Sequence, residues 1–152
     1  MYTLVLVLHS WIRWAAIVAG IGATVTALAG QQSVSRPDSS DRWGLIFLIA
    51  MDLQMLLGLL LYFVLSPFTR QAMQDFGLAM RTSGLRFWAV EHVLGMVIAI
   101  ALAHIGSARI RKAPTDQKRH RTALVFYGLA LLAILASIPW PGMPNGRPLI
   151  RW

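Results

Sequence analysis

Four apolar runs, each near the length that crosses a bilayer, constrain this chain more than any other feature. A helix needs roughly 20 mostly apolar residues to span the hydrocarbon core. The runs cover residues 3–29, 43–65, 85–105 and 123–138. Only 13% of residues are charged, against about 25% in a soluble domain, so much of the surface is expected to face lipid. The predicted fold is all-α: one domain over 1–152, an integral membrane four-helix bundle with both termini on the same side.

The breaks between runs are chemically clear. Residues 31–42 are polar, with Pro37 and two aspartates. Ser66-Pro67 ends the second run, because proline lacks the donor N–H and restricts the residue before it. Pro139-Trp140-Pro141 ends the fourth. The first run begins at Tyr2 without a basic leader and without a small-residue cleavage site, so it is expected to remain as a span.

Orientation follows from the loops. A basic loop, 107–122, holds Arg109, Arg111, Lys112, Lys118, Arg119 and Arg121 against one acid, Asp116. The first loop adds Arg36 and Arg42 on the same side. The opposite side holds Arg70, Arg81 and Arg86, with Arg147 and Arg151 in the tail 139–152. The positive-inside rule places the first and third loops in the cytoplasm and both termini outside. The implied location is a membrane that borders the cytoplasm. The net charge of +8 lies in loops that meet lipid headgroups, so the bilayer, not nucleic acid, is the expected partner. The outer loop 66–84 has room for a short interfacial helix, with Phe68, Met73, Phe76, Leu78 and Met80 as its apolar face.

The chain has no cysteine, which excludes disulfides, thiolate chemistry and cysteine-held metal clusters. No catalytic triad, phosphate loop or metal-hydrolase motif is present, and no stand-alone enzyme is expected. Chemistry, if any, rests on ionisable residues inside the spans, which are costly in lipid and usually face the bundle interior. These are His9, Arg13, Asp52, Glu91, His92 and His104. At about 1.5 Å rise per residue, His9 and His92 each lie roughly 10 Å below the outer interface. Two imidazoles at equal depth on parallel helices can hold one object between them. A b-type haem suits, since it needs only axial ligands and an apolar slot. Gly95, near His92 on the helix surface, would let a flat ring approach the backbone. Arg13, one turn below His9, is placed to meet a propionate or a carboxylate. Trp11, Trp14 and Trp88 are candidate walls.

Plainer readings stand beside these. A histidine in a span also serves simply to bond a neighbouring helix. Glu91 could be a salt-bridge partner for Arg13. Arg13, Asp52 and Glu91 together could form a buried polar network or a proton relay. His9, Asp52 and His92 could form a two-histidine, one-carboxylate metal site. His104 lies about 120° around the helix from His92 and does not share its face. His104 and His120 could meet near the cytoplasmic surface, where His120 sits in a solvated basic run. Ala16, Gly20, Ala23 and Ala27 form a stripe for close helix packing.

Four segments taken together carry a resemblance. They are Leu8-His9-Ser10-Trp11-Ile12-Arg13-Trp14, Gln54-Met55-Leu56-Leu57-Gly58-Leu59-Leu60-Leu61-Tyr62, Arg86-Phe87-Trp88-Ala89-Val90-Glu91-His92-Val93-Leu94-Gly95-Met96, and Ile138-Pro139-Trp140-Pro141. The chain resembles, over nearly its whole length, a family of small bacterial four-helix membrane proteins labelled cytochrome b-like. The resemblance implies a b-type haem bundle with His9 and His92 as ligands. In similar chains the position of Asp52 is often histidine, and here it departs from that pattern. The expected role is a haem-bearing electron-transfer subunit whose partners are a quinone or other membrane subunits. The alternatives are a haem-free accessory subunit of a respiratory or photosynthetic complex, its tail a docking strand, and a small transporter or proton channel.

Overall fold

The computed structural model describes residues 1–31 and 38–150, with side chains from residue 42 onward in the second helix. Four helices are long and apolar enough to cross a membrane: Tyr2–Gly30, Arg42–Leu65, Ser83–Arg111 and Asp116–Ser137. The chain is a multi-pass, all-α membrane bundle. Its elements in order are α1 (Tyr2–Gly30), α2 (Asp38–Leu60), α3 (Pro67–Gln74), α4 (Phe76–Arg81), α5 (Ser83–Arg86), α6 (His92–Arg111) and α7 (Asp116–Ser137). A π-helical turn, Leu61–Leu65, extends α2, and a second, Phe87–Glu91, joins α5 to α6.

Each start has a local cause. Ser66 caps α3 by accepting from the Thr69 amide, with Pro67 in the first turn. Asp75 caps α4 through Leu78 N–H at 2.8 Å, and Thr115 caps α7 through Lys118 N–H at 3.3 Å. These bonds satisfy amides that a helix start leaves unpaired.

Small residues set the packing. Ala16, Ala19, Ala23 and Ala27 on α1, Ala99 and Ala103 on α6, and Ala130 on α7 are all buried. Gly20 lies against the Phe47 ring. The expected stripe on the first helix is therefore a packing seam. Phe47 is fully enclosed and meets Tyr127 edge to face, with ring centres 5.7 Å apart. The outward side is apolar, as lipid requires: Val18, Leu56, Phe63 and Leu132 are all more than half exposed. Thr24 and Thr26 return their hydroxyls to the Gly20 and Gly22 carbonyls, so neither faces hydrocarbon unbonded.

Three sides of the bundle are closed and one is loose. Helices α1 and α2, α6 and α7, and α1 and α7 pack extensively, whereas α2 and α6 touch far less.

Three sequence expectations change. The basic segment 107–122 is mostly helix, because α6 runs to Arg111 and α7 begins at Asp116. The turn between them is correspondingly short. Hydropathy falls there before helical structure does, since lysine and arginine lower hydropathy without breaking a helix. His120 is not solvated. It is 3% exposed and continues the inward face of α7 through Ala123, Tyr127, Ala130 and Ile134. Its ring lies where a Gly30 side chain would be, at the end of α1. Finally, the segment 66–84, expected as one helix on the outer side, is three short helices. Its apolar residues Met73, Phe76 and Leu78 remain about half exposed, on a surface suited to lipid. Arg36, Pro37, Arg151 and Trp152 lie outside the described residues.

Candidate functional site

The two span histidines meet. The ring centres of His9 and His92 are 6.4 Å apart, with planes at 75°. Both rings line the same cleft, which holds about 120 Å³ of free space and opens to the outside of the bundle. An adjoining, smaller cleft shares both histidines and adds Arg13. The main cleft lies beside the loose α2–α6 side and is walled by Met51, Met55, Gly58, Leu59, Trp88 and Met96. This is a mostly apolar hollow with a few convergent polar groups, the usual character of a ligand site.

His92 is held firmly. Its Nδ1 lies 2.8 Å from the Ser137 carbonyl oxygen. A carbonyl can only accept, so Nδ1 carries the proton and a neutral ring keeps its lone pair on Nε2. This backbone tether is the kind that orients a metal-bound imidazole. Phe87 and Trp88 flank the same ring, with centres 5.8 and 5.7 Å away.

His9 is positioned by α2. Gln54 donates its amide to the His9 carbonyl at 3.0 Å, and the same nitrogen lies 3.3 Å from His9 Nε2. His9 Nδ1 and Gln54 Oε1 are buried without a hydrogen-bond partner. An unsatisfied buried polar atom costs about 1–3 kcal/mol. These are atoms that a bound group could satisfy.

Both π-helical turns border the cleft, through Leu61 and Tyr62 on one side and Trp88 on the other. Such turns often mark functional sites, because the wider winding redirects side chains. Here they are tied together. Tyr62 donates its hydroxyl to the Ala89 carbonyl at 2.8 Å, and Thr69 donates to the Tyr62 carbonyl at 2.7 Å. The loose side is thereby bridged at the end that carries both π-helical turns.

The other expected site residues divide. Trp88 lines the cleft. Arg13 lies at its edge and donates to the Leu149 carbonyl at 2.6 Å, beside Trp14, which donates to the same oxygen at 2.9 Å. Trp11 and Trp14 do not wall the cleft. Gly95 faces α7: a side chain there would overlap Ser137 Oγ. The glycine that faces one of the two histidines is Gly58, where an added Cβ would sit 3.4 Å from His9 Cε1. The network of Arg13, Asp52 and Glu91 does not form. Glu91 pairs with Arg86 at 2.6 Å, and Asp52 pairs with His104 at 2.8 Å, half-exposed on the bundle's periphery. His104 therefore meets Asp52, not His120. Among the described residues no three His, Asp or Glu side chains converge, which excludes the site of His9, Asp52 and His92. Arg147 was not foreseen. It lines both clefts and lies over the rings of Phe68 and Trp88 at 5.2 and 5.1 Å. Tail residues carry no periodicity, so only its charge in an apolar setting hinted at it.

Compared with protein-family models, curated proteins and solved structures, the chain has no match, and the functional reading rests on the geometry.

The donor set suits a macrocycle better than a bare ion. A metal ion held by protein alone needs three or four ligands, whereas haem brings its own equatorial nitrogens and asks the protein for one or two axial ones.

Proposed function

We propose that this chain is a b-type haem-bearing subunit for electron transfer, in the bacterial inner membrane with its cleft toward the outer face. The observation that carries the reading is the pairing of His9 and His92, 6.4 Å between ring centres, across one apolar cleft. Haem, when bound, supplies one-electron chemistry. His92 would hold it through Nε2, with Nδ1 anchored to the Ser137 carbonyl. His9 would hold it from the facing helix, its backbone fixed by Gln54. Gly58 leaves space beside the His9 ring. Arg147, which lines the cleft, and Arg13, which lines the adjoining one and also holds the Leu149 carbonyl, are the cations nearest to where propionates would lie. Burial among Met51, Met55, Met96 and Trp88 would keep water from the ligands and tune the potential. A quinone or a larger membrane complex would exchange the electron.

The test is spectroscopic. Protein purified in mild detergent from haem-replete cells is expected to show a reduced-minus-oxidised b-type spectrum. His9→Ala and His92→Ala should each abolish its low-spin, two-histidine signature. A colourless wild-type protein, or a spectrum unchanged in both variants, overturns the reading.

A haem-free accessory role is the second reading. One observation favours it: the polar pair of Asp52 and His104 faces outward, where a partner could cover it. The relay reading has no such support, because Arg13, Asp52 and Glu91 are not brought together.

A further inference from the structure

Asp52 and His104 lie in the wrong place for a lone bundle. Their bond is 2.8 Å, and their side chains remain 51% and 49% exposed. Asp52 is ten residues into the span that opens at Arg42, and His104 is seven residues before the span that closes at Arg111. At about 1.5 Å per residue, these depths are roughly 15 and 10 Å from the helix ends. Neither side chain is long enough to snorkel to the headgroups. The surrounding outward residues are apolar: Ile49, Leu53 and Leu56 on α2, and Val97 and Ile105 on α6. A lone bundle would hold this polar pair against lipid tails, where ionisable groups are costly and almost always covered.

We infer that the α2–α6 flank is the interface of a homodimer, and that the occupant covering the pair is the same pair from a second copy. The pair is its own complement when the ring carries both protons: beyond the internal bond it then offers an N–H donor at His104 Nδ1 and an acceptor at Asp52 Oδ2. A two-fold axis along the membrane normal brings identical residues together at identical depth. Any other partner would need a matching donor and acceptor placed independently at that level. Two facing pairs would satisfy one another through interhelical polar contacts, a recognised source of cohesion within membranes. The sparse contact between α2 and α6 within one copy leaves this side the least sealed and gains the most from a second copy. The inference does not depend on the haem reading.

The chain has no cysteine, so single cysteines report contacts directly. Leu56→Cys and Ala101→Cys place thiols about one turn from Asp52 and His104. Val18→Cys and Leu132→Cys place them on the opposite side, on α1 and α7. In native membranes, mild oxidation is expected to give disulfide dimers from the first two and not from the second two. Adding Asp52→Leu and His104→Leu should reduce dimers from Leu56→Cys to the level of the opposite-side variants. The leucines suit lipid, and circular dichroism checks that the helices persist. Equal cross-linking from both sides overturns the inference. So does cross-linking only to a different protein, or dimers that survive the two leucines. If the double-leucine protein fails to fold, the comparison of the four cysteines in the otherwise unaltered chain decides alone. Loss of the dimer with the b-type spectrum intact separates this interface from the haem site.

Discussion

Gly95→Ala should destabilise the bundle and loosen His92 together. An added Cβ would overlap Ser137 Oγ and lie 2.8 Å from Ser137 Cβ. The hydroxyl can rotate away, but the Cβ is fixed to the α7 backbone. Carbon atoms rest about 3.5–4.0 Å apart, so α6 and α7 must separate by about 1 Å at this level. Overpacking of this kind costs about 1–3 kcal/mol. The same displacement stretches the 2.8 Å contact between His92 Nδ1 and the Ser137 carbonyl beyond hydrogen-bond range, with a further loss of about 1 kcal/mol. The expected total is about 3 kcal/mol, measured as the unfolding free energy from SDS titration in mixed micelles. Ser137→Gly removes the blocking carbon, so the double variant should recover most of the loss. Nitrogen-15 spectra of labelled histidine should show His92 losing its fixed tautomer in the single variant and regaining it in the double. A single variant within about 0.5 kcal/mol of wild type, or a double variant no better than the single, would refute the packing argument.

Tyr62→Phe removes the bond that bridges the two π-helical turns and should cost about 0.6–1.7 kcal/mol, the range found for interhelical bonds in membranes, read by the same titration. Gln54→Leu removes both contacts to His9; any b-type spectrum should shift in potential or weaken, and an unchanged redox titration would count against Gln54 as a positioning residue. Arg86→Gln breaks a half-exposed pair with Glu91 and should change stability by less than about 1 kcal/mol, with a larger loss showing that the pair is more enclosed than its exposure indicates.

The scaffold was legible because lipid imposes a simple rule: apolar length sets the spans. The meeting of His9 and His92 was legible for a related reason. A fixed rise per residue converts sequence position into depth, and two residues at one depth on helices of one bundle are candidates to meet. Rotation about the helix axis was less legible. Asp52 looked like a partner for Arg13, but it faces outward and meets His104. Gly95 and His92 do share contact with Ser137, as their three-residue spacing suggests, yet that contact is packing against α7 and not an opening onto the cleft. The early start of α7 was hidden because lysines and arginines lower hydropathy without breaking helical periodicity. Arg147 belongs to an irregular segment, where position in space follows from tertiary contacts alone.

The unequal closure of the four sides determines how the bundle yields under stress. Among the described residues, two side-chain hydrogen bonds cross the weak side, from Tyr62 to Ala89 and from His104 to Asp52. Thermal opening concentrates where apolar contact is sparse, so α2 and α6 should part first while the other neighbours stay engaged. In a single copy, a bilayer that thins or thickens would strain these two latches before the packed sides, and a second copy seated on this flank would relieve that weakness.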